Sequence, residues 1–420
     1  MHRVRARGVL SRGLAVAIVA TAGLVAVNAA PAMASPAPIT LGFIGDITGL
    51  NSSVYGDTGA AAQARIDLQN AEGGVDGHKL KLIVEDTQSS PTVAQTAASL
   101  LVSKHVFGIS LVTAFGTLAD KVVNQAGLPE TGSTLDAAYG SAPFRNWFTP
   151  SIPSNVGVNK TVIPTYMLSF YRSQGTTRWA DLAWGGIPSI ADSAIAWAKV
   201  APRLGISVCV LDDSVPIGTT DFTSVVLLMK QKHCNAANGS WSDASSVGFQ
   251  QSLKNGGMGN VVDLQPTGYD SQILKSAPAR ASLTGAYLES QVNFTTPNAA
   301  TKAMLQGLAK YMPGFQPGDL PDDGAQQAWE AVDLMIFGLE HAGKNPTAKS
   351  FIDTLRNTTV NYTAGGILAS PINYTHFGTD KEVPPTSCGY VLKLEPKGYV
   401  PVGPNGGKYC GPDYVIQNGS

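Results

Sequence analysis

Residues 39–71 read ITLGFIGDITGLNSSVYGDTGAAAQARIDLQNA, and this stretch decides which fold to expect. The apolar run 39–44 predicts a short buried strand, and the small, turn-forming residues of 45–56 predict a loop. The alanine-rich segment 58–71, followed by Gly73 and Gly74, predicts a helix that ends in a glycine cap. The stretch therefore predicts one strand–loop–helix unit of a parallel α/β sheet.

The same alternation continues along the chain and restarts near Pro150. Strands are expected at 79–84, 106–112, 179–184, 206–211, 261–264 and 285–288. Helices are expected at 92–103, 117–125, 193–204, 221–232, around 250–254, 299–311 and 324–341. Two successive blocks of this kind predict two doubly wound lobes, whose ligands bind beyond the carboxyl ends of the strands.

The first 34 residues are predicted to be a signal peptide. Four arginines without an acidic residue precede the apolar run 14–27, and Ala32-Met33-Ala34 forms an A-x-A cleavage pattern before Ser35. A membrane anchor is the alternative, but the run is short for the roughly 20 residues of a bilayer span. We expect an exported chain that is soluble after cleavage near Ala34, in the periplasm, in the cell envelope or outside the cell.

The charge balance argues against nucleic acid as a partner. The chain has 29 Lys and Arg against 30 Asp and Glu, so it has no overall field to hold a polyanion. Without the four arginines of the predicted signal, 25 basic residues face 30 acidic ones, and the mature chain is mildly acidic. Only 14% of residues are charged and 44% are hydrophobic, which allows a large buried core.

Four cysteines, Cys209, Cys234, Cys388 and Cys410, favour disulfides in an exported chain. They allow three pairings, of which we favour the local one, Cys209–Cys234 and Cys388–Cys410. The second pair brackets an expected hairpin that turns at residues 396–398. No cysteine lies near the predicted cleavage site, so a lipid anchor is not expected.

Several segments resemble one transporter family. Residues 41–49 (LGFIGDITG) with Tyr55-Gly56, and residues 70–77 (NAEGGVDG) with 80–86, resemble the substrate-binding proteins of branched-chain amino-acid ABC transporters. Asp221-Phe222 and the helix 328–333 (AWEAVD) with 341–343 (HAG) extend the resemblance, which runs from about residue 39 to 395.

This resemblance implies the type I periplasmic-binding-protein fold, an α/β fold of two Rossmann-like lobes with parallel sheets. Three crossover segments join the lobes, which close on a ligand like a hinged clamp. We expect lobe 1 at 35–148 plus 293–372, and lobe 2 at 149–292 plus 373–420.

The resemblance also implies the function. We expect a monomeric protein that captures a small, partly apolar ligand and delivers it to an ABC permease in the membrane. The ligand would be a branched-chain or aromatic amino acid, or a related small organic acid or amide. A ligand-sensing module for a receptor is one alternative and a secreted hydrolase is another. The sequence shows none of the common catalytic motifs, and its six histidines lack metal-ligand spacing, so we expect no enzyme, metal or cofactor.

The family's carboxylate-binding loop follows the third strand and aligns here with Thr113, Ala114 and Phe115. A helix expected at Thr117 would add its N-terminus, which favours anions. The family often has a Ser-Ser-Thr run at this loop, whereas here only Thr113 and Thr117 carry hydroxyls. Packing of Phe115 into its lobe is the alternative. After the fourth strand, Thr134 is the expected contact.

In lobe 2, loops after three strands are expected to supply Ser189, Trp241 and Tyr269, and lobe 1 adds Tyr55. Large aromatic residues in loops can form apolar walls of a site, although ordinary packing is an equal alternative. A carboxylate at Asp243 or Asp270 would suit a ligand ammonium, but a helix N-cap is the favoured interpretation for both. The excess of aromatic over polar candidates predicts a ligand with substantial apolar or aromatic surface.

Overall fold

The structure is a computed structural model, and it describes residues 36–132, 145–151, 160–266, 269, 271–358, 360–376 and 386–417. The predicted signal peptide and the predicted site residue Thr134 lie outside these ranges. Within them, no helix has both the length and the hydropathy that a bilayer span requires.

The first sheet consists of five parallel strands in the order β2-β1-β3-β4-β5. These strands are β1 Ile39–Gly45, β2 Leu80–Asp86, β3 Ile109–Val112, β4 Glu130–Gly132 and β5 Trp147–Phe148. The helices between them are α1 Ser52–Tyr55, α2 Thr58–Ala71, α3 Pro91–Ser103 and α4 Thr117–Ala126. The strand–loop–helix unit predicted for 39–71 is therefore confirmed, with α1 as an additional short turn inside the loop.

The second sheet has nine strands among the described residues, and eight of them follow the order β6-β16-β14-β11-β10-β9-β7-β8. Chain order runs β6 Lys160–Pro164, β7 Arg178–Trp184, β8 Ser207–Val215, β9 Ala236–Ser240, β10 Val262–Gln265 and β11 Tyr287–Ser290. After the small ladder of β12 Asn361–Tyr362 and β13 Ile372–Asn373, it continues with β14 Thr386–Glu395, β15 Gly398–Pro401 and β16 Lys408–Gln417. The helices on this sheet's side of the chain are α5 Tyr166–Ser173, α6 Pro188–Val200, α7 Thr223–Gln231, α8 Asp243–Asn255, α9 Ser271–Lys275 and α10 Ala277–Leu283.

Only part of the second sheet is parallel. Strands β7 to β11 pair in parallel, as expected, whereas β14, β15, β16 and β6 add antiparallel pairs. Strands β14 and β15 are joined by two residues, and so short a connection permits only an antiparallel hairpin. The α/β fold is confirmed, and the second sheet is a mixed sheet.

The chain passes between the two sheets three times. Residues 149–159 follow β5, residues 291–298 follow β11, and residues 358–385 precede β14. The intervening helices are α11 Ala299–Tyr311, α12 Asp323–His341 and α13 Ala348–Asn357. Helix α12 packs against α2, β3 and β4, so this late part of the chain covers the first sheet. Three crossovers thereby connect the two sheets, as the resemblance implies.

Both predicted disulfides are present. Cys209 of β8 bonds Cys234, which precedes β9, and Cys388 of β14 bonds Cys410, its direct cross-strand partner on β16. The local pairing favoured from the sequence is confirmed, and both bonds tie strands of the second sheet.

Candidate functional site

Asp46 lies directly after β1 and is fully buried, so its carboxylate needs partners from the protein. Asn51 Nδ2 and the Ala114 N–H donate to its Oδ2 at 3.2 and 3.1 Å. The hydroxyls of Thr87 and Thr113 donate to its Oδ1. Since these donors lie in the loops after β1, β2 and β3, Asp46 holds the carboxyl end of the first sheet together.

Asp46 also changes what the predicted carboxylate-binding loop can do. The Thr113 hydroxyl donates to Asp46 and accepts from the Phe115 N–H at 3.0 Å, and Thr113 is only 3% exposed. The Ala114 N–H already donates to Asp46. The donors expected to hold a ligand carboxylate are therefore engaged by the protein's own groups, and Thr113 shapes the loop.

The side chains of Ala114 and Phe115 face the second sheet. Both are partly buried against an apolar cluster that includes Trp184, Ile187 and Trp241. Phe115 therefore packs on the other sheet and not into its own lobe, where the packing alternative had placed it. This contact brings strand-end loops of the two sheets together.

Trp241 is part of that apolar cluster and is 4% exposed. Its ring lies 4.6 Å from that of Phe222 and 5.2 Å from that of Phe249, and its Nε1 donates to Gln265 Oε1 at 2.9 Å. Gly239 makes room for the indole, because a Cβ there would lie 2.0 Å from it. The structure thus places Trp241 in this apolar cluster, where its polar atom has a partner.

Ser189 was expected in a loop but is the second residue of α6. The helix begins five residues before the predicted start at 193, because Pro188 fits the first helical position, which needs no N–H. The side chain of Ser189 lies outside the described part of the structure, as does all of Thr134.

Tyr55 and Tyr269 both lie against the beginning of α12. Tyr55 is 7% exposed, and a Cβ on Gly324 would lie only 2.7 Å from the Tyr55 Cα, so α1 rests directly on α12. The Tyr269 hydroxyl lies 3.0 Å from Asp323 Oδ1 and 2.8 Å from Gln326 Oε1. Burial, followed by the nearby charge of Asp323, raises the pKa of both tyrosines well above its usual value.

A cavity of about 230 Å³ borders Asp323 and lies beside the three segments that connect the sheets. We call it the crossover cavity. It is lined by Pro150, Ser151, Pro164, Tyr166, Met167, Trp197, Glu289, Gln291, Asp323, Gln326, Gln327, Glu330, Leu368, Ala369, Ser370, Ile372 and Cys388. None of the predicted ligand-binding residues that the structure describes is in this lining, although Tyr269 bonds two residues that are, and the disulfide cysteine Cys388 lines the cavity.

Three carboxyl groups define the electrostatics of the crossover cavity. Burial raises the pKa of Asp323 to about 6, of Glu289 to about 7 and of Glu330 to about 8. Hydrogen bonds lower these values in part: the Tyr166 hydroxyl donates to Glu289, Gln327 donates to Asp323 at 2.6 Å, and Gln326 donates to Glu330 at 3.2 Å. The cavity therefore holds carboxyl groups that are partly neutral near pH 7.

Sequence reasoning missed Asp323 and Glu330 because they occur in an apparently ordinary amphipathic helix. Asp323, Gln326, Gln327 and Glu330 follow the 3–4 spacing of one helix face, yet Glu330 is 2% exposed. A polar stripe on a helix whose other residues are mostly buried was the available signal. Elsewhere in the described ranges, too, no three His, Cys, Asp or Glu side chains are placed to hold a metal ion.

Two sheets with strand-end loops in contact, three crossovers and a cavity beside them define a two-lobed type of ligand-binding fold. A sequence-family model described as "Periplasmic binding protein" matches residues 38–399. The chain belongs to this family, and its fold is the type I periplasmic-binding-protein fold.

Solved structures agree with this assignment at the level of the fold. A fatty acid ABC transporter substrate-binding protein from Thermomonospora curvata is 19% identical with a TM-score of 0.68, over 91% of this chain and 93% of that one. The branched-chain amino-acid binding protein LivJ from Streptococcus pneumoniae, with isoleucine bound, is 17% identical with a TM-score of 0.67, over 86% and 97%. An R. palustris solute-binding protein in complex with 4-hydroxybenzoate is 17% identical with a TM-score of 0.65, over 92% and 98%. No curated protein sequence gives a significant match.

Proposed function

We propose that this chain is an exported, monomeric substrate-binding protein that captures a small, partly apolar ligand between two lobes and delivers it to an ABC permease. Lobe 1 comprises 35–148 and 293–372, lobe 2 comprises 149–292 and 373–420, and residues 1–34 are removed on export. The protein performs no catalysis of its own. The proposed ligand class includes branched-chain and aromatic amino acids and related small acids or amides.

The observation that carries the proposal is the contact of strand-end loops from the two sheets next to a cavity. Phe115, after β3, packs on the second sheet, and Tyr269, after β10, bonds Asp323 of α12 on the first-sheet side. A ligand that binds between such loops favours the closed arrangement, because it contacts both sides only there. The solved structures with bound isoleucine and 4-hydroxybenzoate are proteins of this fold that hold small, partly apolar ligands, which supports the proposed ligand class.

The test is ligand binding by the mature chain, residues 35–420. A thermal-shift screen of amino acids, aromatic acids, amides and small amines should reveal ligands that raise the unfolding midpoint, because binding to the native state alone stabilises it. Isothermal titration should then give one site per chain, and small-angle scattering should show a smaller radius of gyration with the ligand. A chain that binds no member of this panel, or that hydrolyses esters, amides or glycosides, would contradict the proposal.

A further inference from the structure

The charged groups of the crossover cavity all have the same sign. Glu289, Asp323 and Glu330 line it, and no Lys, Arg or His is in its lining within the described part of the chain. Apolar side chains, among them Met167 and Trp197, complete the wall. The cavity thus combines several carboxyl groups with an apolar surface.

Glu330 has an unused acceptor in this cavity. The residue is 2% exposed, and its Oε1 accepts a hydrogen bond from Gln326 Nε2 at 3.2 Å. No described residue donates to its Oε2. Glu330 lines the cavity, so this oxygen is open to a hydrogen bond from a donor on a ligand.

The usual places for a ligand carboxylate are already filled by carboxylates of the protein. Asp46 accepts the Ala114 N–H at the loop after β3. At the N-terminus of α12, which borders the cavity, Asp322 accepts the Ala325 N–H at 2.6 Å. An anionic ligand in the cavity would therefore lack these donors, and where Glu289, Asp323 and Glu330 are ionised it would be repelled by them.

We infer that the crossover cavity binds an organic cation, an ammonium-bearing molecule with an apolar body and no free carboxylate. This inference rests on the proposed function and narrows its ligand class. The ammonium group donates to Glu330 Oε2 and lies among the three carboxylates, and the apolar body contacts Met167 and Trp197. An indole face also attracts cations directly. The volume of about 230 Å³ is below the roughly 300–1,000 Å³ of drug-sized ligand pockets, so the molecule is small.

The groups around these carboxyls carry charges of both signs. The Tyr166 hydroxyl of α5 bonds Glu289, and Asp413 of β16 lies behind Tyr166. The charge of Asp333 also raises the pKa of Glu330, but Asp333 is itself paired with Arg65 at 2.9 Å. Tyr55, Tyr269 and Asp322 border Asp323, as described above. Among the described residues, the Lys408 side chain also contacts the lining, since its Nζ donates to the backbone carbonyl of Ala369 at 3.3 Å.

Protons compete with such a ligand, which gives the inference a specific signature. With pKa values of about 7 for Glu289 and about 8 for Glu330, these groups hold protons in the empty cavity near pH 7. An alkylammonium stays charged there, since its pKa is close to the roughly 10.4 of lysine. Amine binding should therefore release protons, and the affinity should rise between pH 6 and pH 8.

The experiment uses matched probes that differ only in their charged group. 2-Phenylethylamine, phenylalanine and 3-phenylpropionate share one aromatic body, and 3-methylbutylamine, leucine and 4-methylpentanoate share one aliphatic body. Titration calorimetry of the mature chain at pH 6, 7 and 8, in two buffers of different ionisation enthalpy, measures affinity and proton release together. We expect an amine to bind most tightly in at least one series, with net proton release at pH 7.

Variants connect the binding to the cavity. Glu330→Gln should weaken amine binding roughly tenfold to a hundredfold and should reduce proton release. The amide replaces a carboxyl that is neutral when the cavity is empty, so the fold should persist. Glu289→Gln provides a second test if the first variant does not fold. Glu72→Gln, an exposed acid after α2, is the matched control and should leave affinity unchanged.

The outcomes separate this inference from the proposed function. If an acid or amino acid binds better than its amine, or if Glu330→Gln and Glu289→Gln leave amine affinity unchanged, the organic-cation inference is overturned while the proposed function stands. Binding of an inorganic cation alone overturns the inference as well. If no compound of the broader panel binds, both proposals fail.

Discussion

The Tyr269 hydroxyl lies 3.0 Å from Asp323 Oδ1, and this contact joins the loop after β10 of the second sheet to the first turn of the helix that covers the first sheet. Tyr269 is 2% exposed, and its ring lies 5.7 Å from that of Phe294 in the second crossover. Asp323 in turn lines the crossover cavity. One residue pair therefore connects the two sheets at the edge of the candidate ligand site.

Replacement of Tyr269 by Phe tests this connection. The ring contact with Phe294 remains, but Asp323 and Gln326 lose a buried donor, which should lower the free energy of unfolding by about 1–3 kcal/mol at pH 7. Urea denaturation measures the change. Tyr414→Phe is the control, because no hydrogen bond of its hydroxyl is seen within the described residues. Equal destabilisation by both variants would show that the Tyr269 contact has no special weight.

Replacement of Asp46 by Asn tests its role in holding the loops of the first sheet. Asn has one acceptor oxygen in place of two, so at least one of the buried donors, such as the Ala114 N–H, loses its partner. We expect a loss of about 2 kcal/mol or more in the free energy of unfolding. Asp76→Asn, at an exposed turn, should stay within about 0.5 kcal/mol of the wild type. If Asp46→Asn unfolds with the same curve as the wild type, Asp46 does not hold these loops together.

Asp263 of β10 provides a pH test. It is fully buried, and burial raises its pKa to about 8, while Gln265 donates to its Oδ1. Between the ordinary pKa near 4 and about 8, the folded chain holds a proton that the unfolded chain has released, so stability falls as pH rises. The slope from this group is at most about 1.4 kcal/mol per pH unit.

Asp263→Asn should remove that slope. The stability of the variant should equal that of the wild type near pH 4. Between pH 5 and pH 8 the variant should become increasingly more stable than the wild type. Thermal midpoints across this pH range measure the difference, and Asp192→Asn on the exposed side of α6 is the control. A difference between variant and wild type that does not change with pH would disprove the assignment.

The disulfides should contribute separately to stability. Cys388–Cys410 and Cys209–Cys234 close loops with sequence separations of 22 and 25, so each should stabilise the fold by about 3 kcal/mol through the unfolded chain. The double variants Cys388→Ser/Cys410→Ser and Cys209→Ser/Cys234→Ser test each bond alone. Denaturation with and without a reducing agent measures the loss. Reduction should cost each double variant less stability than it costs the wild type, because only one bond is left to break. An equal loss would show that the bond removed by mutation makes no contribution.

The sequence by itself determined the elements, because their signals are local. The apolar run at 39–44, the alanine-rich segment that became α2 and the glycines after it lie within one short stretch, and each acts on its neighbours. The disulfide pairing was accessible for the same reason, since each pair brackets a short segment. The mixed order of the second sheet was missed, in part because the pairing of β16 with β6 joins parts of the chain more than 200 residues apart.

Only the tertiary structure brings the residues of the candidate site together. Thr113 and Trp241 look like ligand contacts in the sequence, but Asp46 and the Phe222–Phe249 cluster engage them through distant contacts. Glu289 and Glu330 look like ordinary surface acids until the crossovers bring the end of β11 and the inner face of α12 to one cavity. Burial there raises their pKa, and burial depends on the three-dimensional arrangement of the whole chain and not on neighbouring residues.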